Sequence, residues 1–128
     1  ASVALKWFLR PEAEPDASLA AELIGRRPLL ATTLCFFEVG NTLSRHSSEP
    51  GRVAGALEEL GEICGEPVGL SANDFHRSAE LVAEYRLTFY DASYVAIAER
   101  LGRRVISADR DLLAPGLAVD LATALTAA

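Results

Sequence analysis

Apolar residues recur at helical spacing along much of this chain and gather elsewhere into short continuous runs, and the two patterns alternate. Val3, Ala4, Trp7 and Phe8 lie three or four apart and predict a first helix over 1–9, broken between Pro11 and Pro15. Asp16 or Ser18 can cap a short second helix that runs through Ile24 and closes at Gly25. Leu29-Leu30-Ala31 reads as a brief strand leading to Thr32 and Thr33, the N-caps of a third helix to about Ser44. After the polar loop Ser47-Ser48-Glu49-Pro50-Gly51, the residues Val53, Ala56, Leu57, Leu60 and Ile63 share one side of a helix over 52–63. Pro67-Val68-Gly69-Leu70 reads as a strand. Ser71 opens a helix to about Tyr85, and Thr88 opens another that runs to Leu101 and stops at Gly102. Val105-Ile106-Ser107 is a buried strand, Arg110 to Leu113 a helical turn, and Leu117 to Leu121 a last strand.

Short apolar strands separated by helices predict an α/β fold on a mainly parallel sheet. With 128 residues, half of them hydrophobic, the chain is one domain with material for a real core. No linker, repeat or low-complexity tract divides it. No apolar run approaches the roughly 20 residues that span a bilayer, and no basic-then-apolar leader opens the chain. Cys35 and Cys64, in apolar helical settings without CxxC spacing, read as buried free thiols. These features together predict a cytoplasmic protein with no membrane association.

Against that pattern, three carboxylates stand out by their neighbours: Glu38 in Phe37-Glu38-Val39, Asp91 in Tyr90-Asp91-Ala92, and Asp109 after Val105-Ile106-Ser107-Ala108. Acidic residues are rarely buried without a partner. Carboxylates brought together from distant parts of a chain repel unless a divalent cation lies between them, the arrangement that metal-assisted phosphodiester chemistry requires. Functional groups of parallel sheets gather beyond the carboxyl ends of the strands, and Asp109 directly follows one. Each also has a plainer reading. Asp109 suits an N-cap, Asp111 the first turn of the helix behind it, Asp91 a capping box with Thr88, and Glu38 an ion pair with Arg45.

Net charge is −6, which disfavours non-specific phosphate binding over the whole surface. Lys6 is the only lysine, and the other eleven of the twelve basic residues are Arg, which makes forked contacts to phosphate. A nucleic-acid substrate would therefore meet a local Arg rim. Phosphoryl transfer of the response-regulator or dehalogenase type also gathers Asp at strand ends around Mg²⁺, but those folds need a lysine late in the chain, and none follows Lys6.

Taken in order, these stretches resemble a known family. Ala1-Ser2-Val3-Ala4-Leu5-Lys6-Trp7-Phe8 is similar to the opening helix of PIN-domain ribonucleases, especially the VapC-like toxins of toxin–antitoxin pairs. Glu38-Val39-Gly40-Asn41-Thr42-Leu43 resembles the family's second acidic motif, Tyr90-Asp91-Ala92-Ser93-Tyr94-Val95-Ala96 the third, and Ser107-Ala108-Asp109-Arg110-Asp111-Leu112 the last. The resemblance covers nearly the whole chain. It implies a three-layer α/β/α sandwich, an acidic cluster that binds Mg²⁺ or Mn²⁺, and hydrolysis of RNA. On this reading Glu38, Asp91 and Asp109 are catalytic and hold the metal, and Asp111 is a further ligand candidate. Asn41 and Ser107 orient the carboxylates, while Lys6, Arg45 and Arg110 are candidates for RNA contact. The implied partners are RNA, a cognate antitoxin and a second copy of the chain, with Trp7, Phe8, Leu9 and Leu23 as residues of an apolar groove.

One departure separates this sequence from the family pattern. The first family motif is an Asp at the end of an apolar strand, immediately before the Ala-Ser-Val opening, whereas this sequence begins at Ala1. The expectation is thus an N-terminally truncated single PIN-like domain over 1–128, with three of four carboxylates and activity of this exact chain in doubt. The alternatives are a catalytically inactive PIN-like module that binds partners and a solitary RNA-processing nuclease.

Overall fold

The computed structural model describes residues 1–9 and 14–126. Of the break expected over Pro11 to Pro15, residues 11–13 lie outside the described residues. Helix α1 (Ser2–Phe8) and α2 (Ala17–Leu23) pack on each other. Asp16 stands at the N-cap of α2, but in a left-handed conformation (φ 63°) and without a side-chain capping bond. Thr32 caps α3 (Thr33–His46) by accepting from the Cys35 N–H at 3.0 Å. Helix α4 (Pro50–Cys64) begins two residues before the expected start. Proline suits the first helical turn because its missing N–H would have no partner there, so Pro50 belongs to the helix and not to the loop.

Two long helices carry the rest of the framework. In α5 (Ala72–Tyr85) a reciprocal capping box joins Ser71 and Asp74, and in α6 (Phe89–Leu101) the Thr88 hydroxyl accepts from Asp91 N–H at 3.1 Å. Strand β1 (Val105–Ile106), α7 (Arg110–Leu113), β2 (Ala118–Val119) and α8 (Leu121–Thr126) complete the chain. The last helix was not expected. Asp120, whose side chain accepts from Thr123 N–H at 2.8 Å, turns the chain out of β2 after two residues.

The sheet is parallel, with Val105 opposite Ala118 and Ile106 opposite Val119. Side chains alternate across it. Val105 and Ala118 face a cluster built from α5, α6 and α7 around Leu81, Val95 and Leu112. Ile106 and Val119 face the opposite cluster, in which Val3, Ala20, Leu23, Leu121 and Ala124 join α1, α2 and α8. Helices on both sides of parallel strands make the α/β sandwich that the sequence predicts. The expected strands at 29–31 and 67–70 are reduced to one parallel bridge between Thr32 and Val68, held by Val68 N–H to Ala31 C=O and Thr33 N–H to Val68 C=O, both 3.0 Å. Around it α1, α3 and α4 bury Val39, Leu43 and Leu60. Cys35 and Cys64 are buried free thiols in this cluster; burial raises both, Cys64 to about 11. Among the described residues no helix is long and apolar enough to cross a membrane.

Between the bridge and the β1–β2 pair lies a cavity of about 530 Å³. Leu29, Leu30, Ala31 and Val68 form one wall, and Val105, Ile106 and Ser107 the other. Ser107 N–H donates to Val119 C=O at 3.0 Å. Successive strand residues turn their polar groups to alternate edges, so the N–H and C=O of Ile106 point away from β2 and into the cavity. Ala31 is turned to Val68, which leaves the Leu30 main chain turned the other way. Arg103 and Arg104, which precede β1, line the cavity together with Arg27, and Asp109, which follows β1, lines it together with Glu38 and Asp91, whose charges act on one another.

Candidate active site

Three elements bring the carboxylates to the cavity. Glu38 comes from the second turn of α3, Asp91 from the first turn of α6, and Asp109 from the turn after β1. Asp109 caps α7, its Oδ1 accepting from Asp111 N–H at 3.4 Å, so a capping role and a place in the cavity coexist in one residue. Glu38 is held by the Tyr94 hydroxyl, which donates to Oε1 at 2.5 Å. Among the described residues Arg45 makes no ion pair with it, so the expected Glu–Arg pair on α3 is replaced by a contact between helices.

The charges feel one another. Burial pushes the Asp91 carboxyl above the ordinary carboxylate range, and repulsion from Asp109, then Glu38 and Asp111, adds to the rise against the Thr88 hydrogen bond. Desolvation precedes repulsion as the cause because Asp91 is half-covered at the helix start. Burial also raises the Tyr94 phenol, with Cys35 and Glu38 contributing, so its proton stays in place as a donor.

A serine network shapes the Asp109 turn. Ser107 is buried, and its Oγ accepts from Asp109 N–H at 2.9 Å. Ser2 Oγ lies 3.3 Å from Ser107 Oγ and accepts from Ala108 N–H at 3.0 Å, tying the start of α1 to the same turn. Neither Ser2 nor Tyr94 drew a role from the sequence. The available signal was Tyr94's spacing, one turn from Asp91 and thus on the same side of α6.

Other expected site residues lie elsewhere. Lys6 is 8% exposed, and its Nζ donates to Pro15 C=O at 2.7 Å and pairs with Glu14 at 3.5 Å. That ammonium is engaged within the fold and is removed as a free phosphate contact. Asn41, Arg45, Arg110 and Asp111 are exposed and outside the cavity lining, although Asp111 still acts on Asp91 through space. Leu23 is 1% exposed and Trp7 Nε1 donates to Ala20 C=O at 2.7 Å, so these two belong to the packing of α1 on α2. Phe8 and Leu9 are partly covered against the α3–α4 cluster.

Among the described residues no three His, Cys, Asp or Glu side chains stand close enough to cage a metal ion by themselves. The donor set is nevertheless oxygen-only and mutually repelling, which suits a hard cation such as Mg²⁺. That ion commonly takes one or two protein carboxylates and keeps several waters, so the arrangement fits it without a three-ligand cage.

The parallel α/β sandwich with acidic residues beyond a strand end has a counterpart among known proteins. The chain matches the PIN domain over residues 1–116, and it belongs to that family. It is 34% identical over 103 residues to the exonuclease VapC9 of Pyrobaculum aerophilum, covering 78% of this chain and 77% of that protein. It is 32% identical over 90 residues to the ribonuclease VapC3 of the same organism, covering 62% of this chain and 64% of VapC3. The chain thus spans less than two thirds of VapC3.

Proposed function

We propose that this chain is the catalytic part of a Mg²⁺- or Mn²⁺-dependent endoribonuclease, the toxin of a cytoplasmic toxin–antitoxin pair that also associates with itself. One observation carries the reading: Glu38, Asp91 and Asp109 of a PIN-domain chain line one cavity, with Asp91 raised by burial and by the other two. Similarity to the exonuclease VapC9 and the ribonuclease VapC3 supports a nuclease.

Asp91 and Asp109 would hold the ion, and Ser107 and Ser2 keep the Asp109 turn in position for it. When bound, the ion supplies an activated water and neutralises charge that builds on the scissile phosphate. Glu38, with Oε1 fixed by Tyr94, orients the attacking water through its other oxygen. Exposed Arg45 and Arg110 are the remaining phosphate-contact candidates.

The cavity extends this proposal to the domain. Its apolar walls and the inward-turned main chain of Ile106 and Leu30 suit one extended segment pairing parallel to β1, entering by Arg103 and Arg104 and leaving by Asp109 and Ala1. We infer that residues immediately upstream of Ala1 fill it and deliver a fourth carboxylate at its mouth.

The deciding test is cleavage of a circular single-stranded RNA by the upstream-extended protein with Mg²⁺ or Mn²⁺. Linearisation that stops with EDTA supports a metal-dependent endonuclease. Cutting of linear RNA only would make it an exonuclease, and no cleavage with either ion would leave the inactive partner-binding module as the better account.

A further inference from the structure

Phe37 and Tyr90 are the most exposed large apolar side chains among the described residues, at 71% and 63%. Each directly precedes a carboxylate of the site, Glu38 on α3 and Asp91 on α6. Single exposed apolar residues are ordinary on a protein surface, so their placement is what distinguishes these two. Phe75 and Phe89 are exposed as well, but their rings stack on each other, with centroids 6.3 Å apart and planes 20° from parallel. Among the described residues Phe37 and Tyr90 stack on no other ring. Tyr90 stands four residues before Tyr94, on the same side of α6, and Tyr94 reaches across to Glu38 on α3. The two unstacked rings therefore rise from α3 and α6 where these helices meet, beside the acidic residues. Asn41 and Arg45 continue the exposed face of α3 from Phe37 at four-residue intervals.

We propose that Phe37 and Tyr90 are stacking platforms for unpaired bases of the RNA strand, and that they make up the affinity this chain's charge withholds. The inference rests on the nuclease reading above. With a net charge of −6 the protein as a whole repels phosphate, and the site carboxylates add to that locally. Stacking on an aromatic ring needs no charge and tolerates any sequence, because every base presents a π-face. It does need the base to be out of its helix, so the rings select loops and single strands. A strand whose bases rest on these rings brings the backbone that joins them to Glu38 and Asp91, the rings' neighbours in sequence. Arg45, about 12 Å from Phe37 along the helix axis, is placed for a phosphate further along the same strand.

The test is binding of fluorescently labelled RNA, read by anisotropy in Mg²⁺, with the upstream-extended protein carrying Asp91→Asn so that bound strands stay uncut. An abasic strand of the same length, with every phosphate and no base, is the control. Added Phe37→Ala or Tyr90→Ala should each weaken binding of the base-bearing single strand by about tenfold, and leave binding of the abasic strand unchanged. Phe37→Trp and Tyr90→Trp should keep the affinity, whereas Phe37→Leu, apolar but without a ring, should lose it. Equal losses on both strands, or full binding by Phe37→Leu, overturn the proposal and leave the nuclease reading standing. Unchanged RNA binding in both alanine variants overturns it too; reduced self-association of those variants by light scattering would then assign the rings to contacts between copies of the chain. If the protein without the ring substitutions binds neither strand, both readings fall together.

Discussion

Asp91 carries opposing demands at a single residue. Its place in the first turn of α6 favours a negative charge through the helix dipole, by about 0.3–1 kcal/mol at exposed sites. Burial and the facing Asp109 and Glu38 disfavour that charge, and their net effect wins, since the carboxyl is raised. In metal-free protein at neutral pH, Asp91→Asn should therefore melt a few degrees higher than the parent in EDTA. RNA cleavage should fall to background in the same variant. Equal melting temperatures would show that the repulsion is relieved by solvent, and undiminished cleavage at physiological Mg²⁺ would remove Asp91 from the chemistry. At this scale the sequence was informative because a carboxylate among Phe, Val and Ile conflicts with its surroundings. Ser2 and Tyr94 create no such conflict: a hydroxyl near a helix start or within an apolar helix looks ordinary until its partner from another element is in place. Lys6 misled for the converse reason, since its long side chain folds back to Pro15 C=O across residues that carry no contact signal.

Among the elements, α6 depends most on its attachments, because it carries both Asp91 and Tyr94. Two ion pairs join it to α5. Arg77 and Glu99 form a forked pair with side chains 39% and 45% exposed, which contributes about 0.2–1 kcal/mol. Arg100 Nε bonds both oxygens of Asp74, at 3.1 and 2.9 Å, and its Nη2 donates to Gly69 C=O at 3.0 Å. Asp74 is 3% exposed and also accepts from Ser71 N–H at 2.8 Å, so losing Arg100 leaves a covered charge short of partners. Breaking a fully buried pair costs 3–5 kcal/mol; with the arginine 38% exposed, Arg100→Ala should cost about 1–3 kcal/mol by urea unfolding, against under 1 for Arg77→Ala. The pH dependence follows from Asp74. Burial alone would raise its carboxyl, but the bonds from Ser71 and Arg100 prevail and hold it below the ordinary range. The folded state thus binds that proton less readily than the unfolded one. The stabilisation is complete above the ordinary carboxylate range and is lost as pH falls through the depressed value. Arg100→Ala should accordingly destabilise much less at acid pH than at pH 7, and a pH-independent cost would assign the effect to packing of the arginine stem. The long helices were legible because capping and apolar spacing agree over many residues. The two-residue strands and α8 were not, because an apolar run of three or four residues does not reveal where pairing stops.

For the molecule as a whole, the cavity explains why the strands are so short. Among the described residues β1 is paired on one edge, and the Thr32–Val68 bridge stands apart from it across about 530 Å³ of mostly apolar space. Parallel sheets are normally covered on both faces and read as continuous apolar runs, yet here Leu30 remains 46% exposed beside the opening. A strand in the cavity would satisfy the Ile106 and Leu30 main chain and join the halves into one sheet. The charges at its ends fit this direction, since Arg103 and Arg104 precede β1 and Asp109 follows it. On the proposal that a segment upstream of Ala1 fills the cavity, protein carrying that segment should show slow amide exchange at Ile106 and a higher melting temperature than residues 1–128. It should also bind Mn²⁺ more tightly if the entering segment ends in a carboxylate. A higher melting temperature with Ile106 still exchanging freely would mean that the added residues pack elsewhere. Protection of Ile106 without any gain in Mn²⁺ affinity would keep the completed sheet but remove the fourth carboxylate from the site.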